Sequence, residues 1–128
     1  MPKKILIIDD DIDLVEAMRL TLEGAGFEVI DAQDGAVGLS LAKRENPDLI
    51  LLDVMMGTQD EGFHVAYQIR QDDGLRDIPI IMLTAVGQET GFHFDKEKDE
   101  DFLPVEEFQE KPVAPDRLIE TVKKHLGM

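Results

Sequence analysis

The chain alternates between short uninterrupted apolar runs and longer stretches in which apolar residues recur at helical spacing. Ile5-Leu6-Ile7-Ile8 is the first run, and it ends on three carboxylates, Asp9, Asp10 and Asp11. Leu14, Val15, Met18 and Leu22 then recur with helical period; Asp11 or Asp13 is placed to cap that helix, and Gly24 and Gly26 stop it. Phe27–Ile30 reads as a second strand. Ala36, Leu39 and the pair Val37 and Leu41 mark the inward face of a second helix, which Asn46-Pro47 ends because the residue before a proline is driven out of the helical region. Leu49-Ile50-Leu51-Leu52 is another apolar run, and it too ends on a carboxylate, Asp53. A loop opened by Met55, Met56 and Gly57 runs to Gly62, Val65, Ala66 and Ile69 mark a third helix, and Pro79–Thr84 is a strand that ends at a hydroxyl. Residues 87–104 lack a sustained helical stripe; a short helix or turn is expected near Gln88–His93, followed by an exposed acidic loop over Asp95–Asp101. Val105–Glu110 is the last expected strand. Leu118, Ile119, Val122 and Leu126 form a final helix, with Asp116 early and Lys123, Lys124 and His125 late, as the helix dipole favours.

Continuous apolar strands alternating with amphipathic helices predict an α/β fold: a parallel sheet buried on both faces, with right-handed crossovers and helices on both sides. Composition narrows the rest. A chain of 128 residues is expected to be a single domain over 1–128. Its net charge of −15, from 28 acids against 13 bases, argues against direct contact with DNA or RNA, which needs clustered Lys and Arg. The absence of cysteine excludes disulfides and thiolate metal sites. No apolar run approaches a membrane span, and Met1-Pro2-Lys3-Lys4 leads directly into the first strand without a signal-peptide pattern, so a cytoplasmic protein is expected.

The candidate chemistry lies where strands end. In a parallel sheet Asp9 and Asp10, Asp53, Thr84 and Lys111 converge on one edge, the edge where open α/β sheets bind ligands. Three carboxylates are hard oxygen ligands suited to Mg²⁺. A hydroxyl and an ammonium opposite them suit the oxygens of a transferred phosphoryl group, and an aspartate can itself be the nucleophile that accepts it. Each residue alone has a plainer reading as helix cap, turn residue or surface lysine. Nothing in globular packing requires the whole set at successive strand ends.

These motifs, Ile-Ile-Asp9-Asp10, Leu-Leu-Asp53-Val-Met-Met, Leu-Thr84-Ala85 and Glu-Lys111-Pro112, resemble the receiver domain of bacterial two-component response regulators, of the stand-alone chemotaxis-receiver type. The resemblance spans essentially the whole chain. It implies a flavodoxin-like, doubly wound, five-stranded parallel sheet of order 2-1-3-4-5. It implies Mg²⁺-dependent transfer of a phosphoryl group from the phosphohistidine of a sensor histidine kinase or phosphotransfer protein to Asp53. It further implies Mg²⁺ held by Asp10, Asp53 and the Met55 backbone carbonyl, with Asp9 acting mainly through water. Thr84 would bond the phosphoryl group, Lys111 would pair with it, and Phe108 would be the switch aromatic that swings inward as Thr84 moves. The Lys111–Pro112 bond is expected to be cis. The protein would catalyse its own phosphorylation and autodephosphorylation without turning over external substrates. With Met55 and Val86 screening the site, that dephosphorylation is expected to be slow. The output would be a protein-binding face on a monomer or weak phosphorylation-dependent dimer.

The chain departs from the family pattern in two places. Gly57 stands where a proline is usual, and Gly62 falls nine residues after Asp53 rather than eight. Lys111 follows Thr84 by 27 positions, and the Gly-Ala stretch that usually leads into the fifth strand is missing, so the fourth-helix region is expected to be atypical. Other functions fit the sequence less well. A haloacid-dehalogenase-like phosphatase is disfavoured because Ile12 and Asp13 supply no Thr or Val where its Asp-x-Asp motif needs one. A constitutive adaptor is disfavoured by the complete set of phosphorylation residues. A calcium loop fails because Leu14 and Leu20 stand where Gly and Glu are required.

Overall fold

A computed structural model describes residues 2–53, 61–85, 106–111 and 113–128; at Glu61, Phe63, Ala85, Phe108 and Glu110 it describes the backbone alone. The element order is β1 (Lys4–Ile8), α1 (Ile12–Gly24), β2 (Glu28–Ala32), α2 (Gly35–Glu45), β3 (Leu49–Asp53), α3 (Glu61–Gln71), β4 (Ile80–Ala85), β5 (Glu107–Lys111) and α4 (Pro115–His125). The strands form one five-stranded sheet of order β2-β1-β3-β4-β5, and every neighbouring pair is parallel. The expected order is borne out. The expectations for 87–104, for Met55 and Val86, for the Phe108 side chain and for the Lys111–Pro112 bond lie outside what is described.

Strand alternation divides the core in two. Leu6, Ile8, Ile50 and Leu52 pack beneath α2 and α3 with Val65 and Ile69. Ile5, Ile7, Leu49 and Leu51 point the other way and pack beneath α1 and α4 with Leu22 and Val122. β1 and β3 are buried on both faces, which is why they read as unbroken apolar runs. Each such fully buried Leu or Ile contributes about 1.5–3 kcal/mol over an exposed one.

Helix ends follow local chemistry. Asp11 caps α1 by accepting from the Leu14 N–H at 3.1 Å, and Asp34 caps α2 by accepting from Val37 N–H at 2.8 Å. Asn46 closes α2 in the left-handed region, at φ 47°. Two sequence expectations are corrected. β2 begins at Glu28 and runs to Ala32, because Asp31 inside it pairs with Arg19 of α1 and so does not end the strand. Ala36 and Val37 are exposed rather than inward-facing, Val37 by 48%; Gly35, Gly38 and Ala42 form the buried face of α2.

Small residues on that face let α2 come close to β1. A Cβ built on Gly38 would lie 2.6–2.9 Å from three side-chain atoms of the fully buried Ile8. Gly38→Ala is therefore expected to destabilise the fold by up to about 2 kcal/mol, because overpacking of about 1–3 kcal/mol outweighs the roughly 1 kcal/mol that alanine gains in helix propensity. A urea-unfolding midpoint equal to or above that of the wild type would show that Ile8 yields.

At the edge of the sheet opposite the strand ends, Arg70 locks the start of two strands. It donates to the carbonyls of Arg76 and Ile78 at 2.9 and 2.7 Å and to both Glu106 oxygens at 2.5 and 2.7 Å. Glu106 also accepts the Ile80 N–H at 2.7 Å, so the end of α3 and the starts of β4 and β5 share one clamp.

Candidate phosphoacceptor site

Asp9 follows β1 and continues its ladder, its N–H donating to the Ala32 carbonyl at 3.0 Å. Its Oδ1 accepts the Asp11 N–H at 2.9 Å, an Asx-type turn that bends the chain into α1. Oδ2 is left aimed at the strand ends. Asp53 closes β3, in the strand beside β1, and is 3% exposed. Asp10 is exposed, yet carboxylate oxygens of Asp9, Asp10 and Asp53 all lie within 4.8 Å of one another.

Lys111, the last residue of β5, reaches across β4 into this cluster. Its Nζ lies 2.9 Å from Asp9 Oδ2 and 3.1 Å from Asp53 Oδ1. Burial acts to lower the pKa of this ammonium, but the paired carboxylates of Asp9 and Asp53 outweigh it and leave the group above the ordinary lysine value. The pairing with Asp9 was not legible in the sequence. Asp9 Oδ2 is fully buried and has no partner in good hydrogen-bond geometry, so its contact with Lys111 is an ion pair and leaves capacity for another ligand.

Thr84 lies half-buried near the carboxyl end of β4, one residue beyond Leu83, the register partner of Asp53. Phe108 lies in β5, three residues before Lys111. The structure thus brings together Asp9, Asp10, Asp53 and Lys111, and sets Thr84 on the adjacent strand.

The cluster fits a divalent cation. Three carboxylates against one ammonium leave two formal negative charges, all donors are oxygens, and one buried oxygen lacks a hydrogen-bond partner. Sequence reasoning missed a second polar group, on the strand that carries Lys111. Glu107 and Gln109 of β5 engage Arg117, Thr121, Lys124 and His125 of α4. The signal was present as alternation at 107, 109 and 111, facing residues four apart on the last helix.

A doubly wound parallel sheet with clustered acids and a lysine at its strand ends defines an acidic-pocket α/β domain. Residues 5–123 match the family model of the response regulator receiver domain, and the chain belongs to that family. It is a receiver domain of the two-component phosphorelay class. It is 34% identical over 130 residues to the polar-differentiation response regulator DivK of Brucella anthropi, covering 99% of this chain and 98% of DivK. It is 40% identical over 123 residues to the transcriptional regulatory protein PhoP of Bacillus subtilis, covering 96% of this chain and 48% of PhoP. With RpaA of Synechocystis it shares 48% identity over 88 residues, 69% of this chain and 36% of RpaA. The chain therefore spans a third to a half of these two transcriptional regulators and nearly all of DivK. Among solved structures, a response regulator from Chloroflexus aurantiacus superposes with a TM-score of 0.84 at 32% identity, covering 100% of both chains. The chemotaxis response regulator CheY4 of Vibrio cholerae superposes with 0.82 at 28% identity, covering 98% of this chain and 99% of that one. Among the described residues no helix is long and apolar enough to cross a membrane.

Proposed function

We propose that Asp53 is the phosphoacceptor of a cytoplasmic signalling switch built on this receiver domain. The observation that carries this reading is the placement of Lys111 Nζ within 3.1 Å of Asp53 and 2.9 Å of Asp9 in a cluster with surplus negative charge. An Asp53 oxygen attacks the phosphorus of a phosphohistidine on a sensor histidine kinase or phosphotransfer protein. The O–P bond forms as the P–N bond breaks, and the imidazole leaves with the electron pair and takes up a proton. Lys111 moves from pairing carboxylates to pairing the new phosphoryl oxygens. Thr84 supplies a hydroxyl to one of them, and Phe108 turns inward as Thr84 moves. Asp9, Asp10, Asp53 and the Met55 carbonyl are the groups that would hold Mg²⁺, which supplies charge neutralisation for the phosphoryl oxygens. The altered face then binds a protein partner, as a monomer or a weak phosphorylation-dependent dimer, without direct contact with nucleic acid. Slow autodephosphorylation resets the switch.

The test is incubation with acetyl phosphate and Mg²⁺, read by intact mass. A single phosphoryl adduct is expected on the wild type, with none on Asp53→Ala and none in excess chelator. A folded wild type that takes no adduct from acetyl phosphate or from a phosphorylated kinase would overturn the reading and favour a constitutive adaptor.

A further inference from the structure

Strand β5 delivers Lys111, yet among the described strands it pairs with β4 alone. An edge strand held from one side is the least constrained place in a sheet to mount a residue that must meet two carboxylates on other strands. The ammonium itself ends a flexible side chain whose ordering costs up to about 1.5–2 kcal/mol. Some other contact has to fix the frame from which it reaches.

Gln109 is placed to do this. It stands two residues before Lys111, on the same side of the strand, in register with Leu83 of the apolar layer under α1 and α4. An aliphatic residue would suit that layer. Instead a buried amide, 6% exposed, occupies it. Its Oε1 accepts from Arg117 Nε at 3.0 Å, and its Nε2 donates to Thr121 Oγ1 at 3.3 Å and to Glu107 Oε2. Both donors of the amide are used. Glu107 is in turn held by His125 at 2.8 Å and Lys124 at 3.3 Å. Burial acts to raise the Glu107 pKa, but hydrogen bonds from His125, Gln109 and Lys124 outweigh it and bring the carboxyl below its ordinary value. An apolar contact tolerates sliding of a strand along a helix; a fully used amide does not, because any shift breaks directed bonds in a low-dielectric layer.

We infer that Gln109 is a positioning residue for phosphoryl transfer: through its bonds to Thr121 and Arg117 it fixes the register of β5 against α4 and so holds Lys111 at the acid cluster. The inference rests on the proposed role of Asp53 and Lys111 and adds a residue that touches neither. Displacement of a reacting or charge-stabilising group by about 1 Å can cost up to about 10²-fold in rate, which sets the scale of the effect.

The test separates positioning from stability. In Gln109→Leu/Thr121→Val the amide and the hydroxyl both become apolar groups of similar shape, and the two remaining partners, exposed Arg117 and part-exposed Glu107, can turn to water, so the exchange is expected to cost little in folding. The expected result is a melting temperature near that of the wild type, Mg²⁺ affinity not weakened, and a rate of phosphorylation by acetyl phosphate lowered about tenfold or more. In a Lys111→Ala background the same pair should lower the rate no further, since the effect passes through Lys111. A folded double variant that phosphorylates within twofold of the wild type overturns the inference, as does a loss of Mg²⁺ affinity that matches the loss of rate. Gln109→Leu alone serves as the second variant should the pair misfold. A wild type that takes no phosphoryl group removes the proposed function instead. The positioning claim is then decided by a crystal structure of the variant: retained contacts of Lys111 Nζ with Asp9 and Asp53 overturn it, and displacement supports it.

Discussion

Lys111→Ala is expected to slow phosphorylation by acetyl phosphate about 10²- to 10³-fold, the range for losing one preorganised donor to developing negative charge. The magnitude has an independent electrostatic basis: an ammonium and an anion about 4 Å apart attract by about 4 kcal/mol at an effective dielectric near 20. The same change should also destabilise the protein in metal-free buffer. Asp9 is fully buried and Asp53 nearly so, and Lys111 is the cation that pairs with both. Removing it takes from two buried carboxylates the ammonium that lies against both, at a cost of about 3 kcal/mol at neutral pH. The sign with pH follows from linkage. Because the folded state raises the Lys111 pKa, its contribution is fully present below the ordinary lysine value of 10.5 and is lost as pH rises through the folded value. The gap in stability between wild type and variant should therefore hold through neutral pH and close under strongly alkaline conditions. Stopped-flow or mass-based rates together with urea titrations across pH check both parts. A variant as stable as the wild type at pH 7 would mean that solvent or another cation already neutralises the acids.

How far the sequence carried these conclusions depended on burial. β1 and β3 were legible because both faces are covered, so every position from Ile5 to Ile8 and from Leu49 to Leu52 had to be apolar. β5 was weak in pattern for a physical reason. It is Glu-Phe-Gln-Glu-Lys, and the polar residues at 107 and 109 satisfy one another and α4 rather than facing water. β2 runs two residues past the expected end at Ile30, because Asp31 inside it is paired with Arg19 of the neighbouring helix. Val37 was misplaced because hydrophobic pattern alone favoured it over Gly38, which packs against Ile8 of β1. The strand order was not legible from periodicity and came from the family resemblance.

The site was more legible than the fold details, since its acids stand at the ends of the two least ambiguous strands. What pattern could not show is which carboxylate Lys111 favours, because that depends on reach across β4. Nor could it show the seam beneath Lys111. His125 read as an ordinary late-helix residue, and only the register of β5 against α4 brings it to Glu107. Gln109 likewise has no meaning as a single letter; its role follows from being buried where a neighbour two residues along must be held.

Mg²⁺ is expected to stabilise the wild type and to stabilise Lys111→Ala more. Binding to the folded state alone adds RT ln(1 + [Mg²⁺]/Kd), about 2.7 kcal/mol at a hundredfold excess over Kd. For a domain of this size each kcal/mol moves the melting temperature by about 3–5 °C, so saturation should raise it by about 10 °C and chelator should reverse the gain. The cluster carries a surplus of two formal negative charges, and its buried Asp9 Oδ2 lacks a hydrogen-bond partner. In the wild type the ammonium and the metal compete to neutralise the same oxygens, so part of the metal's effect is offset by the pairing already present. Without Lys111 that offset is gone, and the metal restores much of the stability the variant has lost. Asp10→Asn should behave oppositely. It removes one oxygen ligand that is exposed and that has no ion-pair partner among the described residues, so the metal-free protein should be as stable as the wild type or slightly more so while the Mg²⁺-dependent shift falls. Differential scanning calorimetry over a Mg²⁺ titration, with Ca²⁺ as a comparison cation, reads all three proteins. Equal shifts in the wild type and Asp10→Asn would place the metal elsewhere, and no shift in the wild type at millimolar Mg²⁺ would mean that Lys111 satisfies the cluster without it.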